Sequence, residues 1–160
     1  MVDEHVMQAL LGAARAARER AYAPYSRFAV GAALLDEHGR VHAGCNIENA
    51  AYPQGQCAEA SAIAHLVLAG GTCILAAVVV GVAGGDGGGD GSGDRSGDSS
   101  RDSSAGGPPV TPCGGCRQRL REFAADDIPV WAADLHSVRQ RHTLGQLLPA
   151  SFGPGHLAIP

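Results

Sequence analysis

Three of the five cysteines occur in a spacing that suits one metal ion. Cys57 lies two residues before Glu59, and Cys113 and Cys116 are separated by two glycines further along the chain. Catalytic zinc sites have three protein ligands and an open fourth position, whereas structural sites close with four ligands. The pattern therefore predicts a hydrolytic site in which Cys57, Cys113 and Cys116 bind Zn²⁺ and Glu59 transfers protons.

Three alternative interpretations use the same thiols. Cys113 and Cys116 could form a redox pair, all three thiols could simply be buried in apolar surroundings, or all three could belong to a closed structural zinc site. A redox pair does not explain why Glu59 lies two residues after Cys57. A closed site needs a fourth ligand, and no histidine lies near either half of the pattern in the sequence. We expect Cys45 and Cys73, which lie in apolar runs, to be core residues.

The elements that must position these residues alternate between helix and strand. Hydrophobic periodicity and turn residues predict helices over residues 3–20, 58–69, 114–124 and 144–148. They predict strands over residues 28–35, 40–47, 74–82, 128–132 and 138–143. Strands separated by helices imply an α/β domain with helices on both faces of the sheet, and the hairpin at its start makes the sheet mixed.

Both halves of the cysteine pattern are predicted to lie at helix starts. Cys57 precedes the second predicted helix, and Cys113 precedes the third. Unpaired N–H groups and the positive end of the helix dipole favour thiolate over thiol at such positions. Two helix N-termini that face each other could therefore hold an anionic metal cluster.

Length and composition predict a single domain over residues 1–160, with 45% apolar residues and no repeat. Residues 84–109 contain ten Gly, six Ser and five Asp, so they predict a flexible loop inserted in this domain. We expect a surface insertion, because loop closure entropy rises slowly with length. The alternative is a lid, since the segment leads directly to Cys113.

Charge and cysteine usage exclude several classes of protein. The net charge is −4 and all twelve basic residues are arginine, which provides no basic patch for nucleic acid and no lysine for Schiff-base or P-loop chemistry. The longest apolar run, residues 73–83, is too short to span a membrane. An odd number of cysteines and no secretory signal pattern predict a cytoplasmic protein.

Four ordered blocks, residues 21–34, 44–52, 116–118 and 147–152, resemble the homotetrameric cytidine deaminases that act on free nucleosides. The cysteine pattern agrees with the zinc deaminase signature in its three-cysteine form. The resemblance covers nearly the whole chain except residues 84–109 and the last eight residues. It implies a three-layer α/β/α cytidine deaminase-like fold with a mixed five-stranded sheet, and hydrolysis of cytidine and deoxycytidine to uridine and deoxyuridine with release of ammonia.

The resemblance also implies roles for individual residues. Asn46 and Glu48 match the pair that binds the ribose hydroxyls, and Phe28 matches an aromatic residue beside the pyrimidine. Tyr52 and Phe152 match residues that complete the pocket of a neighbouring subunit, so the resemblance implies a homotetramer with shared active sites.

At the metal end, Ala58 matches a position whose backbone reads the edge of the base, and Glu59 matches the proton shuttle. One position departs from the family pattern. These deaminases commonly carry arginine directly after the catalytic glutamate, where it hydrogen-bonds the zinc thiolates, but this chain has Ala60. Arg117 or another donor could compensate for the missing charge.

Deaminases of blasticidin S also lack that arginine, so a modified aminopyrimidine nucleoside is an alternative substrate. A non-catalytic, zinc-stabilised oligomer is a third hypothesis.

Overall fold

The computed structural model describes residues 3–82 and 108–157. Its α-helices are α1 (Glu4–Arg18), α2 (Ala58–Leu68), α3 (Gly114–Phe123) and α4 (Leu144–Leu147). Its strands are β1 (Val30–Asp36), β2 (Val41–Cys45), β3 (Ile74–Gly81), β4 (Pro129–Ala133) and β5 (Val138–Thr143). No helix within the described ranges combines the length and the apolar character needed to cross a bilayer.

The five strands form one mixed sheet in the order β2-β1-β3-β4-β5. Strand β1 is antiparallel to both β2 and β3, β3 and β4 are parallel, and β5 is antiparallel to β4. Parallel neighbours need a crossover connection, and the part of the chain between β3 and β4 contains α3. The predicted mixed sheet of five strands is confirmed.

Helices cover both faces of the sheet because side chains alternate along each strand. Helix α1 packs on one face, where the buried cluster consists of Leu10, Leu11, Ala14, Ala33, Leu35, Ala76, Val78, Val80, Trp131 and Ala133. The other helices pack on the opposite face, where the cluster consists of Leu34, Ala62, Leu66, Ile74, Ala77, Leu120, Ala124, Ile128, Val130 and Leu144. The predicted three-layer α/β/α arrangement is confirmed.

A glycine in β2 allows the helix that begins after Cys57 to approach the sheet closely. A Cβ atom at Gly44 would lie 2.4 Å from the backbone N of Ala62 and 2.6 Å from the carbonyl O of Ala58. Real Cβ atoms essentially never approach another heavy atom within 3.0 Å. The depth of α2 against the sheet, and with it the position of Cys57, therefore depends on Gly44.

A buried carboxylate organises the turn of the first hairpin. The side chain of Asp36 is fully buried and accepts hydrogen bonds from the backbone N–H groups of His38 (2.9 Å) and Arg40 (2.8 Å). It also accepts from Arg40 Nε (2.7 Å) and lies 2.8 Å from His42 Nε2. Burial alone would raise the pKa of Asp36, but these hydrogen bonds outweigh it and hold the pKa well below its usual range. Sequence patterns predicted the turn but not this network.

Element boundaries differ from the sequence expectations by at most two residues. The first strand begins at Val30 rather than at residue 28, where the Phe28 carbonyl accepts a hydrogen bond from the Asn46 side chain instead of from a neighbouring strand. Helix α1 begins at Glu4 because Asp3 is its N-cap and accepts a hydrogen bond from Val6 N–H at 2.8 Å.

The predicted loop over residues 84–109 lies outside the described residues, apart from its last two positions. Val82 and Pro109, at the two ends of this stretch, form an antiparallel bridge. The loop, the lid alternative and the single-domain assignment remain predictions.

Candidate active site

The three predicted metal ligands lie together at the start of two helices. Cys57 is the N-cap of α2, Cys113 is the N-cap of α3, and Cys116 is buried in the first turn of α3. Their sulfur atoms all lie within 4.8 Å of one another, and the Sγ atoms of Cys57 and Cys113 are 3.8 Å apart. A tetrahedral zinc site with Zn–S bonds of about 2.3 Å places its sulfur atoms about 3.8 Å apart. The donor set therefore fits a zinc ion.

The electrostatics of this cluster favour a bound cation. Burial raises the pKa of the Cys116 thiol, and the negative charges of Glu59 and Cys57 raise it further. Burial also raises the pKa of Cys57. Burial opposes ionisation of Cys113 as well, but hydrogen bonds from the backbone and thiol of Cys116 and from Cys57 lower its pKa overall. Three thiolates beside a carboxylate repel one another, so a divalent metal ion would remove the electrostatic cost of ionising them.

Glu59 lies beside this cluster rather than in it. Its side chain is only 4% exposed, in the first turn of α2, and it accepts a hydrogen bond from the Cys116 thiol. Among the described residues, the group positioned to hold a metal ion consists of the three cysteines and contains neither Glu59 nor a histidine. A buried carboxylate next to an open ligand position can accept and return protons there.

A cavity of about 430 Å³ opens in front of the cysteine cluster. Eight of the predicted functional residues line it: Phe28, Asn46, Glu48, Tyr52, Cys57, Ala58, Glu59 and Cys113. Val110 and Thr111, which precede Cys113 in the chain, also line it. Cavities that bind small molecules have volumes of about 300–1,000 Å³. One small molecule can therefore contact the cysteine cluster and the Asn46–Glu48 pair at the same time.

The Asn46 amide holds the entry to β1 in place. Its Oδ1 accepts a hydrogen bond from Val30 N–H at 2.8 Å, and its Nδ2 donates to the Phe28 carbonyl at 2.8 Å. These bonds set the position of Phe28 at the cavity wall. The amide keeps a second N–H and a second lone pair, which remain available to a ligand.

The Glu48 carboxylate is held by a turn that sequence analysis did not single out. It accepts hydrogen bonds from the backbone N–H groups of Tyr25 (2.8 Å) and Ser26 (3.2 Å) and from the Ser26 hydroxyl. The Ser26 hydroxyl in turn accepts from Phe28 N–H at 3.0 Å. The hydrogen bond from Ser26 is the main reason that the pKa of Glu48 is lowered. Ser26 lies within residues 21–34, one of the blocks that resemble the deaminases, and that membership was its only signal in the sequence.

The two aromatic residues predicted for a neighbouring pocket have different positions. Tyr52 lies at the rim of the cavity and is 78% exposed. Phe152 does not line the cavity and is 57% exposed, and its ring stacks on His156 with centroids 5.1 Å apart. Within the single chain, the structure does not bring Phe152 to the site. Its predicted role in another subunit remains a prediction.

The other two cysteines are not ligands of this cluster. Cys45 and Cys73 are half-buried rather than fully buried, so the expectation that they belong to the core is met only in part. The thiol of Cys45 contacts the Arg20 carbonyl at 3.6 Å.

The chain matches known proteins along most of its length. Residues 3–132 match the family described as the cytidine and deoxycytidylate deaminase zinc-binding region. A cytidine deaminase from Sporosarcina psychrophila is 37% identical over 153 residues, which are 95% of this chain and 95% of the relative. One from Mycobacterium tuberculosis is 40% identical over 144 residues, which are 90% of this chain and 87% of the relative.

A solved structure gives the same result for the fold. The crystal structure of a cytidine deaminase from Burkholderia pseudomallei superposes with a TM-score of 0.71 at 37% identity, covering 94% of this chain and 100% of that one. The chain therefore belongs to the cytidine and deoxycytidylate deaminase family, and it is a zinc-dependent enzyme with the cytidine deaminase-like fold.

Proposed function

We propose that this protein deaminates cytidine and deoxycytidine to uridine and deoxyuridine with release of ammonia. The observation that carries the proposal is that one cavity of about 430 Å³ has Glu59 and two zinc-binding thiols at one end and a carboxamide–carboxylate pair at the other. Because a nucleoside has a reactive base at one end and a diol at the other, its two ends match the two ends of this cavity.

The sugar end is formed by Asn46 and Glu48. A carboxylate and an amide can together satisfy a diol, since one accepts and the other can both donate and accept. The lowered pKa of Glu48 keeps it an ionised acceptor. The side chain of Phe28 packs against the small buried cluster of Val30, Ala32, Ala58 and Val79 and offers an apolar face to the pyrimidine.

The base end is formed by the start of α2. Backbone N–H groups in the first turn of a helix lack helical partners, so the backbone at Ala58 can read the polar edge of the base. A bound zinc ion would supply an acidified water at its open ligand position. Glu59 would accept a proton from the attacking water and deliver it to the departing amine, and its burial keeps bulk water from competing.

A variant of Glu59 tests the chemistry. Glu59→Gln keeps the shape of the side chain but cannot accept a proton, so we expect ammonia release to fall by at least about 100-fold while zinc content stays at one ion per chain. Ultraviolet absorbance of cytidine and atomic absorption of zinc measure the two quantities. Wild-type ammonia release in this variant would exclude Glu59 as the proton shuttle.

A modified aminopyrimidine nucleoside is a second candidate substrate, and Ala60 motivates it. A panel of cytidine, deoxycytidine, cytosine, cytidine monophosphate and blasticidin S separates the two hypotheses. We expect the highest kcat/KM for the two natural nucleosides. Higher kcat/KM for blasticidin S would replace the first hypothesis with the second.

We also propose that the active enzyme is a cytoplasmic homotetramer with shared sites. The exposure of the aromatic rings of Tyr52 and Phe152 supports this, because large exposed aromatic side chains are favourable in interfaces. All five cysteines are free thiols, which suits a reducing compartment. Neither a nucleic acid nor a membrane is expected as a partner.

Subunit mixing tests the shared site. Glu59→Gln and Phe152→Ala are each expected to be inactive or nearly so. If Phe152 serves a neighbouring subunit, a mixed tetramer contains sites with one intact Glu59 and one intact Phe152, so exchange of subunits restores part of the activity. Light scattering measures the assembly. No recovery of activity in a verified mixed tetramer would contradict sharing through Phe152.

A further inference from the structure

Arg117, one residue after a metal ligand, directs its guanidinium away from the thiols. Its Nε donates to the Pro112 carbonyl at 2.7 Å, and its Nη2 donates to the Thr111 hydroxyl at 3.1 Å. Its Nη1 donates to the Leu147 carbonyl at 2.8 Å. All three nitrogens of the side chain therefore have oxygen partners.

These contacts join three parts of the fold. Two of the oxygens belong to the segment that leads directly into Cys113, and the third belongs to the last residue of α4. Arg117 itself lies on α3 beside Cys116. The backbone just before Cys113 is thus bonded to α3, the helix that carries Cys116.

Cys113 depends on such support more than the other ligands do. Its side chain is exposed, whereas Cys116 is buried and Cys57 is half-buried. Its position is therefore set by its backbone rather than by packing around the side chain. A metal site gains affinity when its ligands are already in place before the ion binds.

We propose that Arg117 is a positioning residue of the zinc site, which holds Cys113 ready for the ion through hydrogen bonds to Thr111 and Pro112. Its role is geometric, because the planar fork of donors fits several oxygens at once. The contacts also show that Arg117 does not replace the arginine that is absent at Ala60, since its hydrogen bonds go to oxygens and not to thiolates.

The inference rests on the zinc site of the proposed function, and zinc release tests it without reference to activity. Release is followed with a chromophoric chelator on the full-length holoprotein, and the Co²⁺-substituted protein reports the three-thiolate environment through its absorption. We expect Arg117→Gln and Arg117→Lys to bind zinc about 10–100-fold more weakly, because lysine keeps the charge but not the fork. Arg119→Gln removes the same charge from an exposed position of the same helix and is expected to match the wild type.

The possible outcomes distinguish a failure of the positioning role of Arg117 from a failure of the metal site. Wild-type zinc affinity in Arg117→Lys would overturn the geometric role, and equal losses in Arg117→Gln and Arg119→Gln would assign the effect to charge instead. A wild-type protein that takes up no zinc would overturn the metal site itself and this inference with it. If Arg117→Gln does not fold, Thr111→Val carries the test: it removes one acceptor, so release should be about 2–10-fold faster, and wild-type release would overturn the proposal.

Discussion

Replacing Gly44 with alanine should displace the helix that carries the metal ligand and the proton shuttle. The new Cβ would lie 2.4 Å from Ala62 N and 2.6 Å from Ala58 O, and both atoms belong to the backbone of α2. Ordinary van der Waals contact begins at 3.4 Å, so α2 must move away from β2 by about 1 Å. No flexible side chain can absorb this movement, because the obstructing atoms are backbone.

Two quantities follow from that displacement. Overpacking of this kind costs about 1–3 kcal/mol of unfolding free energy. A shift of about 1 Å at catalytic groups can reduce the rate about 100-fold, and α2 begins directly after Cys57 and carries Glu59 in its first turn. We therefore expect kcat/KM for cytidine to fall far more than the fraction of folded protein does.

Urea unfolding, zinc content and kcat/KM for cytidine measure these effects, and two other glycines provide controls. Gly12→Ala, on α1 with no atom within 4 Å of the new Cβ, should be more stable by about 0.5–1 kcal/mol and fully active. Gly31→Ala places a Cβ 1.9 Å from Ala14 O, so it should destabilise the fold by displacing α1 while folded molecules keep most of their activity. Wild-type stability and activity in Gly44→Ala, or an equal loss of kcat/KM in Gly31→Ala, would refute the reasoning.

Two further predictions concern carboxylates outside the metal cluster. Ser26→Ala should raise KM for cytidine more than it lowers kcat, because Glu48 loses a donor and Phe28 N–H loses its acceptor. Ser26→Thr keeps the hydroxyl and should retain the wild-type KM. An unchanged KM in the alanine variant would contradict this role of Ser26. The pKa of Glu48 should also rise in Ser26→Ala, so that the acid-side increase in KM begins at higher pH. Asp36→Asn should lose about 2–3 kcal/mol of unfolding free energy at neutral pH, measured with urea. Because the folded pKa of Asp36 is depressed, its stabilisation is present above the unfolded pKa of about 3.9 and is lost as pH falls. The unfolding free energy of the asparagine variant should therefore depend less on pH in the acid range. Parallel curves of unfolding free energy against pH for the two proteins would count against this role.

Sequence patterns predicted the parts of this protein that depend on local chemistry. The spacing of Cys57, Glu59, Cys113 and Cys116 was sufficient to predict a catalytic zinc site, because ligand type and ligand number are visible in a sequence. Hydrophobic periodicity, apolar runs and turn residues together predicted every α-helix and every strand of the described chain, because these signals are local in the sequence. Boundaries were less accurate where a cap or a side-chain hydrogen bond decided them, as at Asp3 and Phe28.

Contacts between residues far apart in sequence depended on the tertiary structure. The position of Cys57 depends on how closely α2 approaches Gly44. The orientation of the Glu48 carboxylate depends on its hydrogen bond from Ser26. The guanidinium of Arg117 contacts oxygens rather than thiolates. None of these follows from composition or periodicity. Each requires knowing which atoms meet between distant parts of the chain, or which of several acceptors a flexible side chain selects. Residue types and their spacing therefore specify which groups perform the chemistry, whereas the packing of α2 and α3 against the sheet specifies how those groups are held.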